Sequence, residues 1–412
     1  MRGNDTWKCN INGNKYAKSS FNSDKLKIHV FYFKYQTRKP EMKRLLLFTF
    51  FIGLSLFTQA IAQHVPDTGQ TNCYDNSGSI ITCPSPGQRF YGQDANYIIN
   101  PKSYTKLGFN GVELSEDALH VDDDGPWIMT RDDVTGLMWE VKRKKDGIQN
   151  YDDLHDADNT YTWYNPNDLD NPGLPGDGTD TQDFIDWLNI SKFGGFSDWR
   201  LPTIKELSSL LDHDIPIPGP TIDNRFFPNT ASSSFWSSTT NARYTDGAWI
   251  GSFVYSRPGT YGKRNPRYAR AVRGRQSVAH YIDNGDETVT DLSTGLMWQK
   301  AASPDMMSWE KALTRCERST FGGYTDWRLP TINELQSLVD YSLSGPSINT
   351  TYFPDRSSWS YWSSTTAAHA YYTTDTAKGV YFHYGHTISL LKINRTYVRC
   401  VRSVQMDYLN TW

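Results

Sequence analysis

The chain carries one continuous apolar run and several shorter patterned stretches. The run is Leu45 to Phe57, preceded by Met42-Lys43-Arg44 and followed by the small-x-small site Ala60-Ile61-Ala62. A cationic start, an apolar middle and a small-residue end are the three parts of a secretory signal peptide. The run is short for about 30 Å of hydrocarbon, so cleavage is expected over anchoring. Residues 1–41 are then an upstream extension, 42–62 the signal, and the mature chain starts near Gln63. No other stretch is apolar enough to cross a membrane.

Elsewhere the apolar positions recur at helical or strand period. Helices are expected near Thr181–Ile190 and Ser308–Arg315, with Trp187 and Leu188, or Trp309 and Leu313, facing inward. Thr203 and Thr331 each precede a glutamate by three residues, Glu206 and Glu334, the capping-box spacing that satisfies free amides at a helix start. Short helices should run from there through Leu211 and Val339. Alternating, aromatic-rich stretches predict strands at Ala248–Tyr255, Gly379–Tyr384, Tyr268–Val272 and Tyr397–Val401.

These elements come in pairs because the chain is written twice. TGLMW occurs at Thr135 and Thr294, GGFSDWRLPTIKEL at Gly194 returns as GGYTDWRLPTINEL at Gly322, and FFPN at Phe226 returns as YFPD at Tyr352. FWSST at Phe235 returns as YWSST at Tyr361, and YARAVRG at Tyr268 as YVRCVRS at Tyr397. The offsets are 159, 128, 126, 126 and 129, so copy one carries about 31 extra residues between its first two blocks. A period this long means two homologous domains, not a solenoid. The expected fold class is α+β, each domain holding two helices and an antiparallel sheet. The expected divisions are an N-terminal segment 63–114, domain one 115–276 with the insertion, domain two 277–403, and a tail 404–412.

Charge and cysteines sharpen the picture. The 412 residues have a formal net charge of -3, but residues 1–62 hold 11 of the 42 Lys+Arg and 3 of the 45 Asp+Glu. The remainder is 31 basic against 42 acidic groups, net -11, which argues against nucleic acid as a partner. Export makes disulfides the default for nearby cysteines. Cys9 lies ahead of the signal. Cys316 and Cys400 align with Leu188 and Ala271 of copy one, so both are missing there together, as a bonded pair predicts. Cys73 and Cys83 flank a turn-forming Asp75-Asn76-Ser77-Gly78 and suggest a stapled hairpin.

The candidate ligand segment is Arg257–Arg275, with seven cations and no acid. Guanidinium groups grip sulfate or carboxylate by paired hydrogen bonds, and tyrosines stack on sugar rings. Arg270 and Arg273 recur as Arg399 and Arg402, which points to structure. Lys263, Arg264, Arg267 and Arg275, with Tyr261, are therefore the ligand candidates, against the plainer reading of a solvated basic loop. The insertion has eleven Asp and no Lys or Arg between Asp146 and Asp186. Asp152, Asp153, Asp156, Asp158 and Asn159 supply oxygens of the kind Ca²⁺ takes, but nothing matches EF-hand spacing, and a solvated acidic loop is the preferred reading. No other cofactor is expected. Trp199 and Trp327 are expected in the core, and Arg200 and Arg328 on a buried carboxylate or carbonyls. No G-x-S-x-G elbow, P-loop or H-E-x-x-H is present. His383 and His386, three apart in an expected strand, would face opposite ways, which is wrong for one metal.

The blocks TGLMW, GG(F/Y)xDWRLPTIxEL, WSST and YxRxVR resemble, twice over residues 115–403, the bacterial family named for the C-terminal domain of the Legionella collagen-like protein. The resemblance implies a C-type-lectin-like fold, in the broad group of the formylglycine-generating sulfatase-modifying factors, and for the namesake surface adhesion and binding of sulfated polysaccharide. Collagen Gly-x-y repeats are missing here, so collagen-driven trimerisation is not implied. The function expected is an exported, non-enzymatic binding protein or adhesin for polysaccharide, periplasmic, surface-displayed or secreted. The alternative is an envelope structural or protein-interaction module. An enzyme akin to the sulfatase-modifying factors ranks last.

Overall fold

The computed structural model describes residues 63–404 apart from Pro175, 355–357 and 368–373, together with the backbone of four short strands between Asn10 and Phe31. Met1–Thr58 is a unit of its own, in which Lys18–Ser23 and Leu26–Phe31 pair antiparallel. The expected signal at 42–62, Cys9 and the tail from 405 lie outside the described residues. Both repeats belong to the second unit, Gln59–Trp412.

The second unit opens with a hairpin of β1 (Cys73–Tyr74) and β2 (Ile80–Ile81), closed by the Cys73–Cys83 disulfide. The Asp75 carboxylate accepts the Ser77 and Ser79 amides and so makes the turn between them. Repeat one then forms a four-stranded antiparallel sheet from β3 (Tyr104–Leu107), β4 (Met129–Asp132), β5 (Met138–Glu140) and β9 (Val272–Arg273), ordered 9-5-4-3. Between β5 and β9 lie α1 (Thr181–Ile190), α2 (Ile204–Ser209) and a three-stranded meander of β6 (Ser234–Thr240), β7 (Gly247–Ser252) and β8 (Arg257–Gly262).

Repeat two gives the same order. Its four-stranded sheet is β10 (Tyr281–Asp283), β11 (Thr288–Asp291), β12 (Leu296–Gln299) and β16 (Val401–Ser403). Its helices are α3 (Trp309–Glu317) and α4 (Ile332–Ser337), and its meander is β13 (Ser360–Thr366), β14 (Thr376–Tyr381) and β15 (His386–Leu391). The chain is thus mixed helix and sheet, with several small antiparallel sheets and few helices. The first sheet begins at Tyr104, ahead of the division expected at 115.

The repeated blocks explain the local structure. Thr203 and Thr331 cap α2 and α4, and Glu206 and Glu334 return to the cap amides, as their spacing predicts. The same glutamates bind Arg200 and Arg328 through paired bonds of 2.7 and 2.7 Å, and of 2.6 and 2.5 Å. The extended Trp-Arg-Leu-Pro entry is thereby clamped to the helix it leads into, and Trp199 and Trp327 are buried. The glycine pairs ahead of it, Gly194-Gly195 and Gly322-Gly323, all have positive φ and turn the chain after α1 and α3. Both helices end two residues earlier than expected, at Ser209 and Ser337.

Three expectations need correction. Trp187 is 42% exposed, because the inward face of α1 is Phe184, Ile185 and Leu188. Arg257–Gly262 is an edge strand and not loop; Pro258 is tolerated there because an edge needs fewer ladder donors. His383 lies in the turn between β14 and β15, and His386 begins β15, so they do not share a strand.

The Cys316–Cys400 disulfide is formed and ties α3 to the residue before β16, 84 positions away. In copy one, Leu188 and Ala271 fill the same positions, both fully buried. The insertion turns out to be split. Trp163 donates to Ser237 O as Trp309 does to Ser363 O, and Trp236 and Trp362 donate to Tyr161 O and Met307 O. Those pairs align at an offset of 146, so about 13 residues are added before Trp163 and about 18 after it. His155 and Lys142, both buried, anchor the first piece at 2.9 Å from the Glu140 carboxylate. Against the opposing effect of burial, those two groups draw the Glu140 carboxyl down to about 2.

The repeats share a core. One cluster runs from Ile204 and Trp249 of repeat one to Ile332, Leu335, Val339 and Tyr341 of repeat two. The equivalent elements meet across this seam, α2 against α4 and β8 near β15.

Candidate ligand site at the seam between the repeats

The segment singled out by its charge is built differently from a solvated loop. Lys263 follows β8 and is 1% exposed; its ammonium is 2.9 Å from Asp168 and 4.0 Å from the Trp163 ring centre. It also has a counterpart. At the offset of the closing block it aligns with Lys392, which is buried, donates to Asp75 O at 2.8 Å and sits 4.3 Å over the Trp309 ring. Lys263 is therefore structural, which corrects its place among the ligand cations expected from charge.

The other candidates divide. Tyr261 is exposed on β8, and the Arg267 guanidinium lies 3.9 Å over its ring while donating to Pro266 O. Arg264 is exposed beside them. Arg275 is exposed beyond β9, in the stretch that leads to repeat two. The two recurring arginines have matching partners in each repeat. Arg270 donates to Glu140 O and Arg399 to Gln299 O, each at 2.7 Å. Arg273 pairs with Asp198 and Arg402 with Asp326, each at 2.7 Å.

The oxygens considered for Ca²⁺ are turned mostly on nearby amides and on Arg143. Asp158 accepts the Asp146 and Gly147 amides, Asp156 the Asp158 amide, and Asp153 the His155 amide and the Arg143 guanidinium. Asn159 accepts the Asn150 amide, and Asp152 is exposed. Among the described residues no three His, Cys, Asp or Glu side chains gather in a metal-holding group.

A site that charge counting missed lies where the repeats meet. A cavity of about 240 Å³ is lined by Arg243, Tyr244 and Trp249 of repeat one and by Tyr341, Tyr384 and His386 of repeat two. Trp249 forms its wall, 2% exposed, with the Tyr341 ring edge-on at 4.7 Å and the His386 ring at 4.8 Å. Its indole N–H is buried and has no acceptor among the described residues. The Arg243 guanidinium stands 4.4 Å from the Tyr384 ring and 5.1 Å from Tyr244, with no carboxylate at ion-pair distance among the described residues. Asn241 shapes the loop that presents it, its side chain accepting the Arg243 and Tyr244 amides. The groups offered to the cavity include a cation and flat ring faces, a set suited to a ring-shaped ligand that carries an anionic group.

The cavity exists on one side of the seam because the repeats have diverged there. In register, Trp249 of β7 corresponds to Lys378 of β14, Tyr341 to His213, and His386 to Arg257. On that opposite side the Lys378 ammonium is buried, 2.6 Å from His213 Nδ1, and donates to Ser256 O at 2.9 Å. Aromatic residues leave an open slot on one side, and a lysine closed on a histidine fills the other. No signal in one repeat read alone reveals this; the Arg243-Tyr244 pair in the β6–β7 turn was the available cue.

No curated protein matches the chain in sequence. Residues 128–273 and 287–402 each match the Lcl C-terminal domain. The two matches take in the helices and meanders of the two repeats and all but the first strand of each four-stranded sheet, and the chain belongs to the Lcl C-terminal domain family.

Proposed function

We propose that the mature chain is an exported, non-enzymatic binding protein whose two C-type-lectin-like repeats recognise polysaccharide, with the sugar ring held in the aromatic cavity at the seam. The observation that carries this reading is the unneutralised Arg243 guanidinium set among Tyr244, Trp249, Tyr341 and Tyr384. Ring faces pack on the apolar side of a pyranose, and a guanidinium grips a sulfate or carboxylate by a planar fork. Tyr261 near the end of β8, with Arg264 and Arg267 just beyond the strand, offers a second cationic strip along which an extended anionic chain can continue. Export is supported by the residues 42–62 pattern and by two closed disulfides, which suit an oxidising compartment. All four described cysteines are consumed in these bonds, so among the described residues no thiol is offered for cysteine catalysis.

A glycan array probed with the mature protein should select acidic or sulfated chains over neutral ones, and retention on a sulfated-glycan column should fall with salt. Charge reversal at Arg264 and Arg267 should shorten retention without abolishing it. Equal signals from neutral and anionic glycans, or no glycan binding at all, would refute the reading.

A further inference from the structure

A cavity of about 660 Å³ lies between α2 and α4 and has Gln63 in its lining. Gln63 is also the residue that follows Ala60-Ile61-Ala62. The Gln63 backbone N–H donates to Ser293 O at 2.8 Å, and its side-chain Nε2 donates to Thr135 O at 3.1 Å. Ser293 and Thr135 sit in the corresponding TGLMW turns of the two repeats. The residues after Gln63 continue along the seam: Asn333 donates to Pro66 O at 3.0 Å, and the His213 amide donates to Thr68 O at 2.8 Å. The segment therefore alternates between repeat two and repeat one and stitches them together.

The cavity beside Gln63 holds acceptors in excess. Asp291 is 1% exposed; its Oδ1 accepts the Ser293 amide at 3.0 Å and the Ser293 hydroxyl at 2.6 Å, while its Oδ2 is buried without a partner among the described residues. Asn333 lines the same cavity; its Oδ1 is likewise buried, with the His213 ring as its polar neighbour. Of the other charged groups there, Glu206 is held by Arg200, Asp340 adds a second carboxylate, and the Lys205 ammonium donates to Ser337 O at 2.7 Å while the Asp291 and Asp340 charges act on it. A peptide N–H brings one proton to this place. A terminal ammonium would bring three.

We propose that this cavity is the receptor for the chain's own new N-terminus, resting on the export reading. Hydrolysis of the Ala62–Gln63 bond by the export peptidase adds water, leaving a carboxylate on Ala62 and an amine on Gln63 that takes up a proton. The ammonium keeps the bond to Ser293 O and gains the Asp291 carboxylate as its counter-charge. Removal of the leader then adds an interaction at the seam, so the mature protein is held closed more firmly than its precursor. The two Gln63 nitrogens are committed to carbonyls of different repeats, which opposes the attack of the amine on the side-chain amide that would expel ammonia and form pyroglutamate.

Two measurements test this separately. Intact mass of the protein recovered from an exporting host should correspond to a chain beginning at Gln63 with its amine free; another start, or a loss of ammonia, overturns the maturation step and with it the docking. Thermal melting should then compare chains beginning at Gln63, at Ala62, and at Gln63 with an acetylated amine. The free Gln63 form should melt about 3 °C above the other two, the scale expected when a domain-sized protein gains one such interaction. In Asp291→Asn, which keeps Oδ1 for Ser293, that gap should vanish. Equal melting of the three chains, or a gap that survives in Asp291→Asn, overturns the docking even where the mass is as expected.

Discussion

Lys263, with its counterpart Lys392, shows how a cation can be hidden inside a run that looks made for ligand. Each ammonium lies over a tryptophan ring and is held by one oxygen partner, so the charge serves packing and not recognition. Removing one partner of a buried pair strands the other. Lys263→Ala should therefore lower unfolding stability by about 2–4 kcal/mol, whereas Arg264→Glu should stay within about 0.5 kcal/mol of the parent. Urea unfolding of the two variants checks this, and equal effects would place Lys263 on the surface. The distinction was within reach of the sequence, because Lys392 stands at the same offset as Arg399 and Arg402. A ligand role fits a residue that only one repeat carries, and that criterion keeps Arg264 and Arg267 while removing Lys263.

Among the elements, the short helices were the most legible, since a capping box fixes a start from four residues alone. Arg200 and Arg328 were expected on a carboxylate or carbonyls; what the spacing left open is that the carboxylate is the capping glutamate itself. The pair is more enclosed in repeat two, where Arg328 and Glu334 side chains are 4% and 7% exposed, than in repeat one, where Arg200 is 28% exposed. Glutamine still caps, so Glu→Gln isolates the ion pair. Glu334→Gln should cost about 3 kcal/mol and Glu206→Gln about 1–2 kcal/mol by the same unfolding measurement; the reverse order would contradict the burial argument. β8 was the element misread. Pro258, Gly259 and Gly262 carry loop signals, yet an edge strand accepts them because one side of its ladder is free. The disulfide between α3 and the closing strand was legible because copy one lacks both cysteines, a comparison that no single-domain sequence allows.

At the scale of the whole molecule the seam decides the properties, and it was the least legible part, since which residues face across it depends on how two folded repeats pack. Its closed side predicts a pH response. Burial, with Arg257 nearby, draws the Lys378 ammonium down to about 7. In the unfolded chain the same group holds its proton to about pH 10.4. Between these values the unfolded state binds the extra proton, so this group makes stability rise with pH from about 7 to 10 and adds no slope below that. His213, Arg257 and Asp94 are the titratable and charged groups that act on it. Lys378→Met should gain most over the parent at pH 7 and least at pH 9.5 in urea midpoints; a constant difference would show that the ammonium is not buried.

The open side carries the proposed function. The most direct measurement is calorimetric titration of an array-selected acidic oligosaccharide into the mature protein and into the Arg243→Ala/Tyr384→Ala variant. Loss of one charge-assisted contact and one stacked ring predicts at least about tenfold weaker binding, or about 1.4 kcal/mol, with thermal melting unchanged. Equal affinity for parent and variant would contradict the assignment of the sugar to the seam.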